Sequence, residues 1–101
     1  MFASVIQYHL NPIFDEDFLR YWERHRDILR SRDQISLAIL HQETPISYVS
    51  YVRWKDRAAF ENSILKPDSE LLVWQNKIDD SCNQIRILHR MNTVQKLAHN
   101  G

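Results

Sequence analysis

Residues 35–54 read ISLAILHQETPISYVSYVRW, and this stretch decides the fold. Apolar and polar side chains alternate on both sides of Thr44-Pro45, which is typical of strands with two different faces. Proline has no backbone N–H and therefore interrupts a ladder of strand hydrogen bonds. The stretch predicts a β-hairpin with strands at residues 35–42 and 46–54 and with a turn at Thr44-Pro45.

The chain before the hairpin predicts a strand and a long helix. Residues 2–10 alternate in the same way as the hairpin, and Asn11-Pro12 ends this first strand. Residues 15–32 begin with acidic residues, end with basic ones and repeat apolar side chains every three or four positions, which is typical of an amphipathic helix. The inward stripe of this helix consists of Phe14, Phe18, Trp22, His25 and Leu29.

The chain after the hairpin predicts two shorter helices and a last strand. Asp56 is a candidate N-cap for a helix that ends at about Leu65. Residues 79–81 predict a loop, and residues 84–92 predict the last strand. The helix between Leu65 and this loop is predicted by the spacing of Leu71, Trp74 and Ile78.

The order of the predicted elements is βαββαβ. This order is the ferredoxin-like α+β plan, in which four antiparallel strands form a sheet with helices on one face. We expect one domain over residues 1–93 and a polar tail over residues 94–101, in which Val94 and Leu97 are the side chains that could dock on the domain.

Both faces of the predicted sheet carry apolar side chains. One face holds Val5, Ala38, Leu40, Val49, Tyr51 and Leu88. The other holds Ile6, Tyr8, Ile39, Val52 and Ile87, and the phase between strands stays open to reversal. Helices cover only one face, so we expect a second subunit on the open one and predict a homodimer packed sheet to sheet. The alternative is a monomer with scattered exposed apolar residues.

Composition excludes several classes of function. The single glycine is Gly101, so glycine-rich phosphate loops and dinucleotide fingerprints are absent. Lys plus Arg and Asp plus Glu number 13 each, so the chain has no basic surplus for nucleic acid. The sole cysteine excludes an intrachain disulfide and a multi-cysteine zinc site. No stretch predicts a membrane span or a signal peptide, and we expect a cytoplasmic protein.

The opening strand (2–10) and four later segments resemble the antibiotic biosynthesis monooxygenase family, whose members are dimeric α+β barrels. The later segments are FLRYWERHRDIL (18–29), LAILHQ (37–42), YVSYVRW (48–54) and WKDRAAFENSI (54–64). The resemblance covers roughly residues 2–91, and Trp54–Phe60 is its most specific part. The family's first-helix FxxxW and late second-strand LH are matched by Phe18, Trp22, Leu40 and His41.

The resemblance implies a substrate site between the helices and the sheet and no cofactor. The family includes cofactor-free oxygenases of polycyclic aromatics, quinol monooxygenases, haem-degrading enzymes and members of unknown function. The Asn, Trp and His of the haem degraders are not retained, because Tyr8 or His9, Ser63, and Val73 or Trp74 stand at those positions. The family's Pro-Gly-Phe turn before the second strand is replaced around Asp33-Gln34.

His25 is the candidate general base. It lies on the inward stripe of the first helix, one turn after Trp22, and histidine titrates near neutral pH. A core histidine with no chemical role is the alternative. For His41 and His89, near strand ends, a place in the same cavity and a structural role both stay open. His9 is predicted on the opposite face, toward a dimer partner.

Aromatic and hydroxyl side chains are the candidate walls of the site. A cofactor-free oxygenase needs aromatic stacking surfaces, one base and one or two hydrogen-bond donors in a site that excludes water. The candidate substrate-binding residues are Tyr8, Trp22, Tyr48, Ser50, Trp54 and Trp74. For the tryptophans, packing in the core is the alternative.

The remaining reactive residues predict no further site. Arg86 and Arg90 are predicted on one face of the last strand, where they could hold a carboxylate or form a solvated or interfacial pair. Cys82 is predicted in a loop without an activating neighbour, and His99 lies in the tail. No metal site is predicted, because no two histidines have HxH or i,i+4 spacing.

Two functions stay open at this point. The first is a cofactor-independent monooxygenase of the antibiotic-biosynthesis type, acting on a small aromatic or quinol-like substrate. The second is a non-catalytic dimeric module that binds a small hydrophobic ligand or a partner. A space filled by Trp22, Trp54 and Phe60 favours the second, whereas a pocket on the order of several hundred Å³ favours the first.

Overall fold

The computed structural model describes residues 1–95 and has the predicted α+β ferredoxin-like architecture. One four-stranded antiparallel sheet has the strand order β2-β3-β1-β4. The strands are β1 (Phe2–Leu10), β2 (Ile35–Thr44), β3 (Ser47–Trp54) and β4 (Cys82–Asn92). The helices are α1 (Asp15–Ser31), α2 (Arg57–Phe60) and α3 (Ser69–Asp80), with a 3-10 turn at Pro12–Phe14 and a π-helical segment, Glu61–Leu65, after α2.

The helices begin and end where the local chemistry favours it. Three acidic residues stand in the first turn of α1, where the helix dipole favours negative charge. The Asp56 carboxylate caps α2 by accepting a hydrogen bond from the Ala59 N–H at 2.7 Å. Asp68 caps α3 in the same way through Leu71, at 3.1 Å.

Helix α1 ends in a Schellman motif without a glycine. The Asp33 N–H donates to the Arg30 carbonyl and the Gln34 N–H donates to the Leu29 carbonyl, both at 3.0 Å. Asp33 takes the left-handed conformation, with a φ of 55°. An aspartate therefore fills the position that glycine usually holds, as expected for a chain whose only glycine is Gly101.

The helix-covered face of the sheet contains the core. Alternate residues of β1 are buried there, from Phe2 to Leu10, together with their partners on β3. Trp54 and Phe60 pack edge to face, with ring centroids 5.5 Å apart. The Trp54 indole N–H donates to Ser4 Oγ at 2.9 Å, so this buried polar pair is satisfied within the core.

The predicted phase of β2 is wrong in the middle of the strand. The pairing of β2 with β3 shifts by one residue between Ile35 and Leu37, so Ser36 forms a bulge. After the bulge, Ala38 and Leu40 lie on the helix-covered face and pack against the core. Ile39 lies on the open face instead, where it pairs with Tyr51.

Several predicted boundaries also need correction. The loop predicted at 79–81 is wrong, because α3 continues through Asp80, and Cys82 is the first residue of β4 rather than part of a loop. The hairpin turn is at residues 45–46, because β2 extends to Thr44.

The ends of the sheet differ from the prediction in two further ways. Arg86 and Arg90 do not share a face, because the pairing of β4 with β1 shifts at Leu88. Val94 is 97% exposed and does not dock on the domain, whereas Leu97 and His99 lie outside the described residues.

Candidate active site

Two connected pockets lie between α1, α3 and the sheet. The inner pocket has a volume of about 30 Å³ and is lined by residues that include Tyr8, Trp22, His25, Arg26, Ser50 and Trp54. The outer pocket has a volume of about 210 Å³ and is lined by Ile6, Tyr8, His25, Ile64, Gln75, Ile78, Asp79, Ile85 and Ile87. Tyr8 and His25 line both pockets, so they stand where the two meet. Trp22 and Trp54 leave only the small inner pocket beside them, whereas the larger outer pocket is lined from α3 and β4 and by neither tryptophan.

His25 and Ser50 bring two unpaired polar atoms to the inner pocket. His25 is on the buried stripe of α1, and Ser50 is on the helix-covered face of β3. Within residues 1–95, His25 Nε2 and Ser50 Oγ are buried and have no hydrogen-bond partner. A buried polar group without a partner costs free energy, so a site that keeps two of them has the capacity to bind a polar group of a ligand.

Two titratable groups of the inner pocket, His25 and Tyr8, are in their neutral forms at pH 7. Burial lowers the pKa of His25 from 6.5 to about 4. It raises the pKa of Tyr8 to about 12, against smaller opposite effects of the adjacent Ser50 and Trp22 side chains. The site at neutral pH therefore contains a neutral imidazole that can accept a proton and a phenol that can donate a hydrogen bond.

Trp22 and Trp54 both line the inner pocket, and different contacts hold each of them. Trp54 is fixed in the core by Ser4 and Phe60. Trp22 is also buried, and the guanidinium of Arg26 lies 5.7 Å from its ring centroid. Both contribute flat apolar surface beside His25.

Two predicted substrate-binding residues lie away from the cavity. Tyr48 packs on Phe18 with ring centroids 5.4 Å apart, and its hydroxyl accepts a hydrogen bond from Gln42 at 3.2 Å. Trp74 packs on Tyr21 of α1, and the ammonium of Lys77 lies 5.9 Å from its ring centroid. Neither residue lines the inner or the outer pocket.

The other histidines of the sheet do not reach the cavity. His41 pairs with Val49 and His89 pairs with Val5, which places both on the open face. His9 lies between the buried Tyr8 and Leu10 and points to the same open face. Among the histidines that the structure describes, only His25 lines a pocket between the helices and the sheet.

Cys82 and the acidic residues offer neither a nucleophile nor a metal site. Burial and the nearby charge of Asp79 raise the pKa of Cys82 to about 12, so the thiol stays protonated. Across residues 1–95, no three His, Cys, Asp or Glu side chains are grouped closely enough to hold a metal ion. None of the helices described there has the length and apolar character needed to cross a membrane.

Asp79 and Gln75 are pocket residues that the sequence analysis missed. Both line the outer pocket from α3, and they are one helical turn apart. Gln75 Nε2 donates to the Ser63 carbonyl at 2.7 Å, whereas burial and the charge of Asp80 raise the pKa of Asp79. Their i,i+4 spacing would have placed both on one face of a helix, next to Ile78. The prediction of a loop at residues 79–81 ended that helix before Asp79.

Several solved structures share this fold. One is a crystal structure of an antibiotic biosynthesis monooxygenase, with a TM-score of 0.76 and 19% identity, covering 94% of this chain and 100% of that chain. Another is a variant of SnoaB, described as a cofactor-independent oxygenase from Streptomyces nogalater, with a TM-score of 0.78 and 16% identity over 97% of each chain.

A third similar structure is a protein of unknown function from Nitrosomonas europaea. Its TM-score is 0.74 at 7% identity, covering 99% of this chain and 95% of that chain. No known family profile and no curated protein matches the sequence. The resemblance inferred from the sequence is therefore confirmed for the fold, and function has to be argued from the site.

Proposed function

We propose that this chain, which has the fold of the antibiotic biosynthesis monooxygenases, is a cofactor-independent oxygenase of a small aromatic or quinol-like substrate. The observation that carries this proposal is the unpaired buried His25 Nε2, which lies in one cavity with the Tyr8 and Ser50 hydroxyls. The similarity of this fold to that of SnoaB adds support, because SnoaB is described as a cofactor-independent oxygenase.

His25 acts as the general base in this proposal. Its imidazole is neutral at pH 7 and accepts the proton of a substrate hydroxyl at Nε2. A pKa of about 4 makes free imidazole a weak base, but the substrate anion formed beside it favours the imidazolium in a cavity of low dielectric constant. The Tyr8 and Ser50 hydroxyls donate hydrogen bonds to that anion.

The reaction needs no reductant, because the substrate supplies the electrons. The electron-rich anion reacts with O₂, one oxygen atom enters the ring, and the other oxygen atom leaves as water. A quinol leaves as a hydroxyquinone, so atoms and electrons balance for one quinol and one O₂. Isoleucines of the sheet and of α3 form the apolar part of the wall beside the reactive anion.

The proposed enzyme is a homodimer that pairs the open faces of two sheets. Val5, Tyr51 and Ile39 form one continuous row across β1, β3 and β2 on this face. Ile39 is 39% exposed and Leu88 is 41% exposed in the single chain. A second copy would remove this apolar row from water, and twofold symmetry would pair it with itself.

Oxygen consumption with a panel of quinols tests the oxygenase proposal. We expect uptake by the wild type and a loss of about 10²-fold or more in His25→Ala, because a positioned base typically contributes that much. His41→Ala removes a histidine outside the cavity and is the control; because His41 lies on the open face, light scattering first checks that the variant has the mass of the wild type, and its rate should then be retained. Equal rates for both variants would remove His25 from the mechanism, and no uptake with any quinol would contradict the proposal.

The second candidate function is a non-catalytic module that binds a small hydrophobic ligand. The outer pocket, at about 210 Å³, falls short of the several hundred Å³ expected for an enzyme site, and this shortfall keeps the non-catalytic module as the second candidate. Native mass spectrometry of the freshly purified protein separates the two candidates. A retained ligand without oxygen uptake supports the binding module.

A further inference from the structure

The wall of the inner pocket carries one charged side chain, that of Arg26. Within residues 1–95, the other polar side chains that line this pocket are His25, Tyr8, Ser50 and two tryptophans, and all of them are neutral at pH 7. Neutral groups can donate hydrogen bonds to a substrate anion, but they bring no charge of opposite sign to it. In this part of the site, the positive charge for such an anion therefore comes from Arg26.

The guanidinium of Arg26 packs beside the pocket, on Trp22. Its central carbon lies 5.7 Å from the centroid of the Trp22 ring, and Trp22 lines the same pocket. Glu23 and Arg30 each line a neighbouring cleft together with Arg26, and their charges have opposite signs. The charge of Arg26 acts on an anion without contact, because electrostatic attraction falls off only as the inverse of distance where water is partly excluded.

Two carboxylates oppose this positive charge. Arg26 Nε and Nη2 donate to Asp27 Oδ1 at 3.2 and 3.0 Å. The Asp27 side chain is 54% exposed, against 35% for Arg26, so water screens the carboxylate more strongly than the guanidinium. Asp79 lines the outer pocket but not the inner one, and its charge adds to the effect of burial in raising the pKa of Tyr8. A substrate oxygen is consequently easier to ionise in the inner pocket than in the outer one.

We propose that Arg26 stabilises the anion of the bound substrate, so that the site binds a phenol preferentially as its phenolate. In the proposed reaction the phenol O–H bond breaks, its proton passes to His25 Nε2, and the oxygen keeps the electron pair and the negative charge that Arg26 attracts. This inference rests on the proposed use of the cavity as a substrate site, but it concerns the ionisation of a bound ligand and can be measured without turnover.

Titration of bound 4-nitrophenol tests this role, because its phenolate absorbs visible light and its neutral form does not. In Arg26→Gln we expect the pKa of the bound probe to rise by about 1, which is a tenfold loss of preference for the phenolate. Arg26→Lys keeps the positive charge and should restore most of that preference. In Asp27→Asn we expect a smaller change in the opposite direction, since the carboxylate that opposes Arg26 is removed.

Arg24→Gln is the matched control. It removes the same charge from the same helix, but the Arg24 guanidinium lies over Trp74, 5.8 Å from the ring centroid, and Arg24 lines neither pocket. The pKa of the bound probe should stay close to its value in the wild type.

Opposite changes in Arg26→Gln and Asp27→Asn distinguish an effect of charge from damage to the fold. The inference is overturned if Arg26→Gln and Arg24→Gln have equal effects, if Arg26→Gln and Asp27→Asn change the probe in the same direction, or if the wild type does not bind 4-nitrophenol. A change that depends on Arg26, without oxygen uptake from any quinol, would retain the inference and remove the oxygenase. Oxygen uptake together with an unchanged probe pKa in Arg26→Gln would retain the oxygenase and remove the inference.

Discussion

His25 links the chemistry of the cavity to the stability of the fold. Its side chain is 7% exposed, and Nε2 has no partner within the described residues. Burial lowers its pKa to about 4, against 6.5 in the unfolded chain, so the folded protein resists protonation of this residue. The same property keeps the imidazole available as a proton acceptor at neutral pH.

This pKa difference predicts a loss of stability between pH 6.5 and pH 4. Above pH 6.5 His25 is neutral in the folded and the unfolded chain, so its ionisation does not change the free energy of unfolding. Below pH 6.5 the unfolded chain binds a proton that the folded chain does not bind, and the free energy of unfolding therefore falls. We expect His25 to account for a loss of about 2 kcal/mol between pH 7 and pH 5. Urea unfolding of wild type and His25→Gln at both pH values measures it, and equal losses in the two proteins would contradict it.

The sequence predicts some residues of the site correctly and misplaces others. Tyr8, Trp22, His25 and Ser50 follow from period-2 and period-3.6 patterns that the structure retains. Tyr48 lies on the predicted face of β3, but it does not line the pocket, because Phe18 packs against its ring. A face is set by local periodicity, whereas a position along the face depends on which side chains of another element pack above it.

At the scale of elements, the connection from α1 to β2 depends on one residue. Asp33 adopts a φ of 55° so that two backbone hydrogen bonds can close the end of α1. Aspartate tolerates this conformation better than most residues, and glycine tolerates it best. The connection leads directly into β2, which begins two residues later at Ile35.

Substitutions at Asp33 should change stability in opposite directions. We expect Asp33→Gly to preserve or slightly raise the free energy of unfolding, and Asp33→Val to lower it by about 1–2 kcal/mol because of its Cβ branch. Thermal and urea unfolding of the two variants measure this. If Asp33→Val were as stable as the wild type, the left-handed conformation would not be needed.

The order of the elements was predictable, but the phase of β2 was not. Alternation in β1 and β3 is unbroken, so their faces followed directly from the sequence. The bulge at Ser36 exchanges the two faces of β2 from Leu37 onward, and no feature of the local sequence predicts it. A bulge is determined by pairing with the neighbouring strand, which is a tertiary effect. The end of α3 was missed for a different reason, because two aspartates are more typical of a loop than of a last helical turn.

At the scale of the whole molecule, the two faces of the sheet have different roles. The helix-covered face holds the core and the cavity, and the open face holds the row formed by Val5, Tyr51 and Ile39. The core ends where the cavity begins, so the rigidity of Trp54 and Phe60 also fixes the walls around His25.

The assignment of the open face to a second subunit predicts a sensitive position. We expect Ile39→Glu to shift the protein from dimer to monomer at micromolar concentration. A twofold interface would bury the new carboxylate of both copies without a partner of opposite charge, which destabilises the dimer. Ile13→Glu is the control, since Ile13 is 80% exposed and lies on the turn before α1. Light scattering measures the mass, and a wild-type monomer would disprove the predicted assembly.

The bulges restrict how copies of this chain can associate. Strands β2 and β4 are the two edges of the sheet, and each has two register shifts along its length. An edge strand with unpaired N–H and C=O groups is a template for adding further strands, and this is how sheets polymerise into fibrils. A bulge interrupts the regular spacing of these groups along the strand, which disfavours addition of a strand from a second molecule. The two edges of this sheet are therefore poor templates for growth, in contrast to its apolar open face.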